Sequence, residues 1–317
     1  MLNPNPIPAK ATQTREMSLQ PAQPVSTPER ILQRIDWKII RRLDGLLQGD
    51  YRSLFYGYGV DLADLREYQL GDDIRYIDWN VTARMDTPYL RQYTEEREVT
   101  AWFLLDLSPS IDFGGVNSLK RTVLIDFVGT LARLLTRHGN RVGAVFYSSQ
   151  VDRIIPAGSG RNQVLRLIHD LLDQPRLTHS PFTDLTPLIG GSLNAIRRRS
   201  LVFIISDFIS EPGWEKPLSL MNRRHEVITV RLWDPREAIL PDIGPVIMED
   251  AETGEQLYVD THDQRFRQRF EQAARQREAA LAQAFKQAGV DGLSLSTEED
   301  LVSAIVRYAT LRKQRRR

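Results

Sequence analysis

Cysteine is absent from the 317 residues, and its absence excludes disulfides, thiolate metal sites and cysteine nucleophiles. Histidine is scarce. His138, His169, His179, His225 and His262 lie scattered with no ligand spacing, and they read as surface or capping residues. Long hydrophobic runs are missing too: none approaches the ~18–20 apolar residues that span a bilayer. The start, Met1-Leu-Asn-Pro-Asn-Pro-Ile-Pro8, lacks the basic and apolar regions of a signal peptide. Nor does one sign of charge dominate. Lys+Arg (42) and Asp+Glu (41) leave a net charge of +1, so overall charge predicts neither a nucleic-acid partner nor membrane insertion. What is present is 41% hydrophobic and 26% charged residues, enough for a core in one large domain with appendages or two small ones. These exclusions lead us to expect a cytoplasmic protein.

Residues 1–28 hold six prolines and almost no large apolar side chains. Such a segment cannot bury enough surface to offset its ordering entropy, and it reads as a disordered tail. Thr27-Pro-Glu-Arg30 supplies an N-cap followed by proline at the first helical position. Ile31, Ile35, Ile39, Leu43 and Leu47 then repeat at helical spacing, predicting an amphipathic helix over 28–48. The stretch Tyr56–Asn80 interleaves aromatics with acids and arginines, and Gly71-Asp72-Asp73 reads as a turn between short strands. Two readings of it are open: a catalytic Asp/Arg constellation, or an ion-paired β layer whose arginines fork onto Asp72, Asp73 or Asp78. The second is preferred, because no His, Cys or Lys is there to serve as a base.

From residue 99 the pattern changes. Apolar strand candidates at 99–105, 142–147, 201–206 and 227–232 alternate with helical patterns such as Leu119, Val123, Phe127 and Leu131. That alternation predicts an α/β fold, a mostly parallel sheet with helices on both faces. A hairpin insertion at 245–259 breaks the rhythm. A helix over 262–288 follows, ended by Gly289, and the segment with Phe266, Phe270, Ala274 and Leu281 is expected to pack on the sheet. A short strand at 292–296 then leads to a last helix starting near Thr297, with Asp300 in a capping-box-like pattern. The expected organisation is a tail (1–28), a helix with a β-rich segment (29–98), an α/β domain (99–310) and a basic tail (311–317).

The chemistry concentrates in Ala101-Trp-Phe-Leu-Leu-Asp-Leu-Ser-Pro-Ser110, an apolar run that switches to oxygen-bearing residues. Asp106, Ser108 and Ser110 sit just past a buried strand, where open α/β sheets bind ligands. Asp-x-Ser-x-Ser offers one charge and two neutral hard donors, which suits Mg²⁺, an ion that takes oxygen ligands with few carboxylates. Two further donors are candidates. Thr183 lies just before a helix, and Asp207 ends the apolar strand Leu201–Asp207.

In this order and spacing, Asp106, Ser108, Ser110, Thr183 and Asp207 resemble the metal-ion-dependent adhesion site of von Willebrand factor A-type domains. More narrowly, Arg66-Glu-Tyr-Gln-Leu-Gly-Asp-Asp-Ile-Arg-Tyr-Ile-Asp-Trp79 with Ala83-Arg84 resembles the signature of the bacterial domain-of-unknown-function family fifty-eight (DUF58). Asp234-Pro-Arg-Glu237 and Glu252-Thr-Gly-Glu255 are similar to later landmarks of that family. The resemblance implies a von Willebrand A-like (Rossmann-like) domain with a small β-rich subdomain, working with a MoxR-type AAA+ ATPase. The five donors would hold Mg²⁺ or another divalent hard cation. It implies no enzyme but an adaptor or co-chaperone that engages an acidic partner residue through the metal.

Two alternatives remain open. A metal-dependent phosphoryl hydrolase would also place Asp and Mg²⁺ on a sheet rim, but no Lys, His or Arg stands beside Asp106 in the sequence to activate a nucleophile. The basic end, Arg312–Arg317, would make a nucleic-acid arm, but it lacks aromatics to stack on bases. Asp112-Phe-Gly114 spells a kinase triplet without its companions. Gly158-Ser-Gly160 precedes a helix without the Lys-Ser/Thr of a P-loop, and reads as a turn.

Overall fold

The structure, a computed structural model, describes residues 27–47, 64–69, 72–85, 87–92, 98–115, 118–177, 180 and 182–315. The Pro-rich tail lies almost wholly outside the described residues, as do the end of the basic tail and His179. Thr27 caps the first helix, Pro28–Arg34, with its hydroxyl on the Arg30 N–H. The chain continues through a widened π-type stretch, Ile35–Ile40, into Arg41–Leu47. That stretch has a physical cause. An apolar repeat of four residues drifts around a 3.6-residue helix, and one wide turn brings Ile40 and Leu43 back onto the face of Ile31 and Ile35.

The next strands, β1 (Asp64–Glu67) and β2 (Tyr89–Gln92), pair antiparallel. Between them lie a 3₁₀ turn, Ile74–Tyr76, and a helix, Trp79–Met85, so the two strands are not joined by one tight turn; Gly71 of the expected Gly71-Asp72-Asp73 turn lies outside the described residues. The acids of this stretch cap backbone, and Asp73 also pairs with Arg75 at 3.6 Å, as the ion-paired reading expects. Asp72 accepts from the Gln69 N–H (2.8 Å), Asp73 from that of Arg75 (3.0 Å) and Asp78 from that of Val81 (3.3 Å).

The central sheet contains β3 (Thr100–Asp106), β4 (Arg141–Tyr147), β5 (Val151–Gly158), β6 (Leu201–Ser206), β7 (Glu226–Trp233) and β10 (Asp291–Ser296). Its order is β10-β7-β6-β3-β4-β5, with every pairing parallel except β4–β5. Sequence reading missed β5, because an edge strand with one solvated face has no apolar run: Val151 to Ile154 are exposed. The fold class is as expected, a mixed α/β protein with a mostly parallel sheet and helices on both faces. Alternate strand residues feed two cores. Phe103 and Leu105 join the layer of helix Lys120–Arg137, and Leu104 joins that of helix Thr186–Ala195.

The inserted hairpin, β8 (Pro245–Glu249) and β9 (Gln256–Asp260), pairs only with itself among the described residues. Among the described residues, β1–β2 and β8–β9 form two separate two-stranded ribbons. The long helix, Gln264–Ala288, ends at Gly289 with φ +68°, and packs through Leu281, Ala284 and Phe285. The final helix, Leu301–Arg315, is capped by Asp300, which accepts the Ser303 N–H (3.0 Å), and not by Thr297. Thr297 instead donates to Asp234 (2.6 Å). His225 also departs from expectation: it is buried, not a surface residue.

Candidate metal centre

Counted along the chain, the sheet order reads 3-2-1-4-5-6, so the direction of winding reverses between β3 and β6. Ligands of open α/β sheets bind outside the carboxyl ends of the strands at that reversal. Asp106 ends β3, and Asp207 directly follows β6. The two carboxylates predicted from sequence therefore stand on the two strands that flank the crevice.

Asp106 is fully buried. One oxygen accepts the Ser108 N–H (3.0 Å), and the other accepts the Ser206 hydroxyl (2.6 Å). The Ser108 and Ser110 hydroxyls lie 3.1 Å apart, bringing both predicted hydroxyl donors onto one turn. Ser206 was not found by sequence reading, although it adjoins Asp207. It also accepts the N–H of Phe208 (2.9 Å), whose φ of +58° is rare for a residue with a side chain. Phe208 is held there by Phe285 and Trp214, at centroid distances of 4.9 and 5.5 Å.

Thr183 is buried, and its carbonyl accepts the N–H of Glu211 (2.9 Å), which ties its loop to the one after β6. On the other side, the Tyr147 hydroxyl at the end of β4 donates to the Asp184 carbonyl (2.5 Å). Among the described residues the Thr183 hydroxyl has no hydrogen-bond partner. Such an orphan costs about 1–3 kcal/mol unless another group engages it.

Two further groups at the rim were not predicted. Lys120, fully buried at the start of its helix, donates to Asp207 (2.7 Å) and to Glu237 (2.5 Å). No spacing rule pairs residues so distant in the chain, so sequence reading found no cation here. Burial disfavours the Lys120 ammonium, but the Asp207 and Glu237 carboxylates outweigh it and hold its pKa above the ordinary value. The second group is Glu252, from the tip of the β8–β9 hairpin. Its carboxylate accepts the Ser110 N–H (3.2 Å) and the Ser180 hydroxyl (2.6 Å).

Electrostatically the rim is acidic. Burial first, and then the neighbouring Asp207 charge, push Asp106 up to about 7, against the pull of the Ser206 and Ser108 donors. Asp207 and Glu237 share the Lys120 ammonium, while Asp106 and Glu252 are held by hydroxyl and backbone N–H donors. A hard dication fits this set, through two carboxylates, three hydroxyls and an orphaned Thr183 oxygen among them. Among the described residues no group of three or more His, Asp or Glu is arranged to hold a metal, so hydroxyl donors would be essential to any such site. Beside Asp207 and Glu237 a groove of about 590 Å³ opens, walled by Trp214, Arg231 and Leu281.

Fold and site together define an α/β protein with an acid- and hydroxyl-lined rim at the winding reversal. The chain belongs to the family described as "Protein of unknown function DUF58", which matches residues 64–280. Among its relatives is the uncharacterized protein Rv1480 of Mycobacterium tuberculosis, 34% identical over 283 residues, covering 89% of each chain. An uncharacterized protein of Mycobacterium avium, MAV169, is 37% identical over 160 residues, covering 50% of this chain and 94% of that one. Of solved structures, the conserved hypothetical protein BatB of Bacteroides thetaiotaomicron matches at TM-score 0.43 and 13% identity, over 68% of this chain and 99% of that one. The manganese-loaded TRAP protein of Plasmodium vivax matches at 0.34 and 18%, over 42% and 57%. At such scores the likeness carries no argument, and the fold stands on its own strand order. No helix among the described residues is long and apolar enough to cross a membrane.

Proposed function

We propose that the chain is a non-enzymatic, Mg²⁺-dependent protein–protein interaction module. Asp106, Ser108, Ser110, Thr183 and Asp207 would hold the cation, and an acidic side chain of a partner would complete its shell. What supports the reading is that Asp106 and Asp207 stand at the ends of the two strands flanking the winding reversal, that the Ser108 and Ser110 hydroxyls share the turn after Asp106, and that the buried Thr183 hydroxyl has no partner among the described residues. By analogy with weak oxygen-ligand modules, intrinsic affinity should be roughly 10⁻⁴–10⁻³ M. The resemblance of Arg66–Trp79 to the family signature supports a MoxR-type AAA+ ATPase as partner, with the chain as its cytoplasmic adaptor or co-chaperone.

The test is affinity purification of the tagged protein from its native cell, with Mg²⁺ or with excess chelator. The ATPase should come down with Mg²⁺, and should be lost on chelation and with Asp106→Ala. Recovery that ignores both changes refutes the reading.

A second reading, a metal-dependent phosphoryl hydrolase, draws on Lys120. The sequence offered no cation beside the acids, yet this ammonium sits on Asp207. Against it, Lys120 is already bound to two carboxylates. Turnover of a generic phosphate ester with Mg²⁺, abolished by Asp106→Ala, would establish the hydrolase instead.

A further inference from the structure

The amino edge of the sheet, opposite the rim, carries a cleft of about 450 Å³ between the loop that enters β6 and the end of helix Glu215–Arg224. Arg197 and Arg199 line it from the loop, Arg224 and His225 from the helix end, and Asn194 adds an amide. Hydrogen bonds hold these segments in place. The His225 N–H donates to the Met221 carbonyl (2.8 Å), the Glu226 N–H to the Ser200 carbonyl (3.0 Å) and the Ser200 hydroxyl to the Arg198 carbonyl (2.8 Å).

Two features of the cleft point to a ligand. The first is charge without a counter-charge. Among the described residues no carboxylate lines the cleft, and neither Arg197, Arg199 nor Arg224 forms an ion pair. The second is His225. It lines the cleft at only 4% exposure, and both its ring nitrogens lack a hydrogen-bond partner among the described residues. A buried polar ring without partners costs stability. An anion in the cleft would give the ring a partner and offset the repulsion among the arginines. A cation in the last turn of a helix offsets the helix dipole, which accounts for Arg223 and Arg224. It does not account for Arg199 or for a buried imidazole.

The donors also select the ligand. A single guanidinium satisfies a carboxylate through a two-pronged pair, whereas guanidiniums from two segments and an imidazole suit a group with several acceptor oxygens and more than one negative charge. No aromatic side chain lines the cleft to stack on a base, which argues against a nucleic-acid strand. We propose that this cleft binds a phosphate monoester, with Arg199, Arg224 and His225 on the phosphoryl oxygens. The site is separate from the rim and does not depend on the cation reading.

The experiment titrates the full chain with O-phosphoserine, inorganic phosphate or acetate, followed by calorimetry at fixed ionic strength in chloride. Phosphoserine should bind at a single site, inorganic phosphate should bind there more weakly, and acetate should not bind. Arg199→Ala, Arg224→Ala and His225→Leu should each weaken phosphoserine binding about tenfold, the loss of one charge-assisted hydrogen bond. Arg198→Ala and Arg223→Ala remove the same charge beside the cleft without lining it, and screening should keep their effect within about threefold. Thermal melts of each variant report whether it is folded.

Absence of phosphoserine binding to wild type overturns the proposal. Equal losses in Arg198→Ala and Arg199→Ala would also overturn it, because a diffuse basic edge and not a built site would then be what counts. So would a folded His225→Leu protein of wild-type affinity. Tighter binding of inorganic phosphate than of phosphoserine would make the free ion, and not a monoester, the ligand. A single-stranded oligonucleotide that displaces phosphoserine, with an affinity that falls steeply with salt, would assign the cleft to nucleic acid instead.

Discussion

Lys120 and Asp207 form an ion pair at 2.7 Å with both side chains out of solvent, Lys120 at 0% and Asp207 at 1% exposure. The same ammonium reaches Glu237 at 2.5 Å. One lysine thus fixes the carboxylate that follows β6 and a short helical turn, Pro235–Glu237, that follows β7. A pair of this kind is costly to break, because removing one member leaves an uncompensated buried charge.

Lys120→Met keeps the volume and removes the cation. The expected loss is ~3–5 kcal/mol of folding stability, read as a lower urea midpoint with unchanged slope. The exposed pair of Arg275 with Glu271 is the control. Its removal should cost ~0–1 kcal/mol. A Lys120→Met protein as stable as wild type would mean that the buried pair is not formed in solution.

Asp106→Asn tests a different property. The amide oxygen can keep the Ser108 N–H bond while its NH2 donates to the Ser206 oxygen, reversing that bond, and the change removes a charge that burial and Asp207 disfavour. Without Mg²⁺ the variant should therefore melt at or above the wild-type temperature. Added Mg²⁺ should raise the wild-type melting temperature only, since a ligand that binds the folded state alone stabilises it. Equal Mg²⁺ shifts in both proteins would place the ion elsewhere.

The basic end of the chain is partly structural. Arg312 is only 4% exposed, and it pairs with Glu226 and Asp291 at the amino ends of β7 and β10. Arg312 is thus packed against the sheet rather than carried on a solvated basic tail. Arg312→Ala should lower stability by about 1.5–3 kcal/mol, the range for hydrogen bonds to charged groups, in calorimetric or urea unfolding. A change within ~0.5 kcal/mol would match an ordinary surface residue.

These residues also show where the sequence was readable. Leu201–Ile205 announces itself because every residue of its strand is buried, so the run is apolar without interruption. Asp106 and Asp207 are legible as switches from apolar to acidic at the ends of such runs. Lys120, Ser206 and Glu252 are not, because each matters through a partner across the sheet or on another loop, and no local spacing encodes that. The edge strand Val151–Gly158 escaped for the opposite reason: solvent on one side removes the apolar signal. Asp300 and Thr297 were both seen, but their roles were exchanged. Thr297 is taken by Asp234, a contact between distant segments.

His225 gives the chain an acid-sensitive point away from the rim, before the start of β7. It is only 4% exposed, and among the described residues neither ring nitrogen has a hydrogen-bond partner. The nearby pocket is lined by Arg197, Arg199 and Arg224. Burial first, and then the Arg224 and Arg199 charges, lower its pKa below the ordinary 6.5. With the folded value depressed, the unfolded chain binds the extra proton first as pH falls. Stability should accordingly decline as pH drops below about 6.5, and the decline should level off once the pH is below the folded value. His225→Leu removes both the titration and two unpartnered nitrogens. Its urea midpoint relative to wild type should therefore rise between pH 7.5 and pH 5.5, and it should not fall below wild type at the lower pH. A difference that stays constant with pH would show that His225 takes up its proton equally in the folded and unfolded chain.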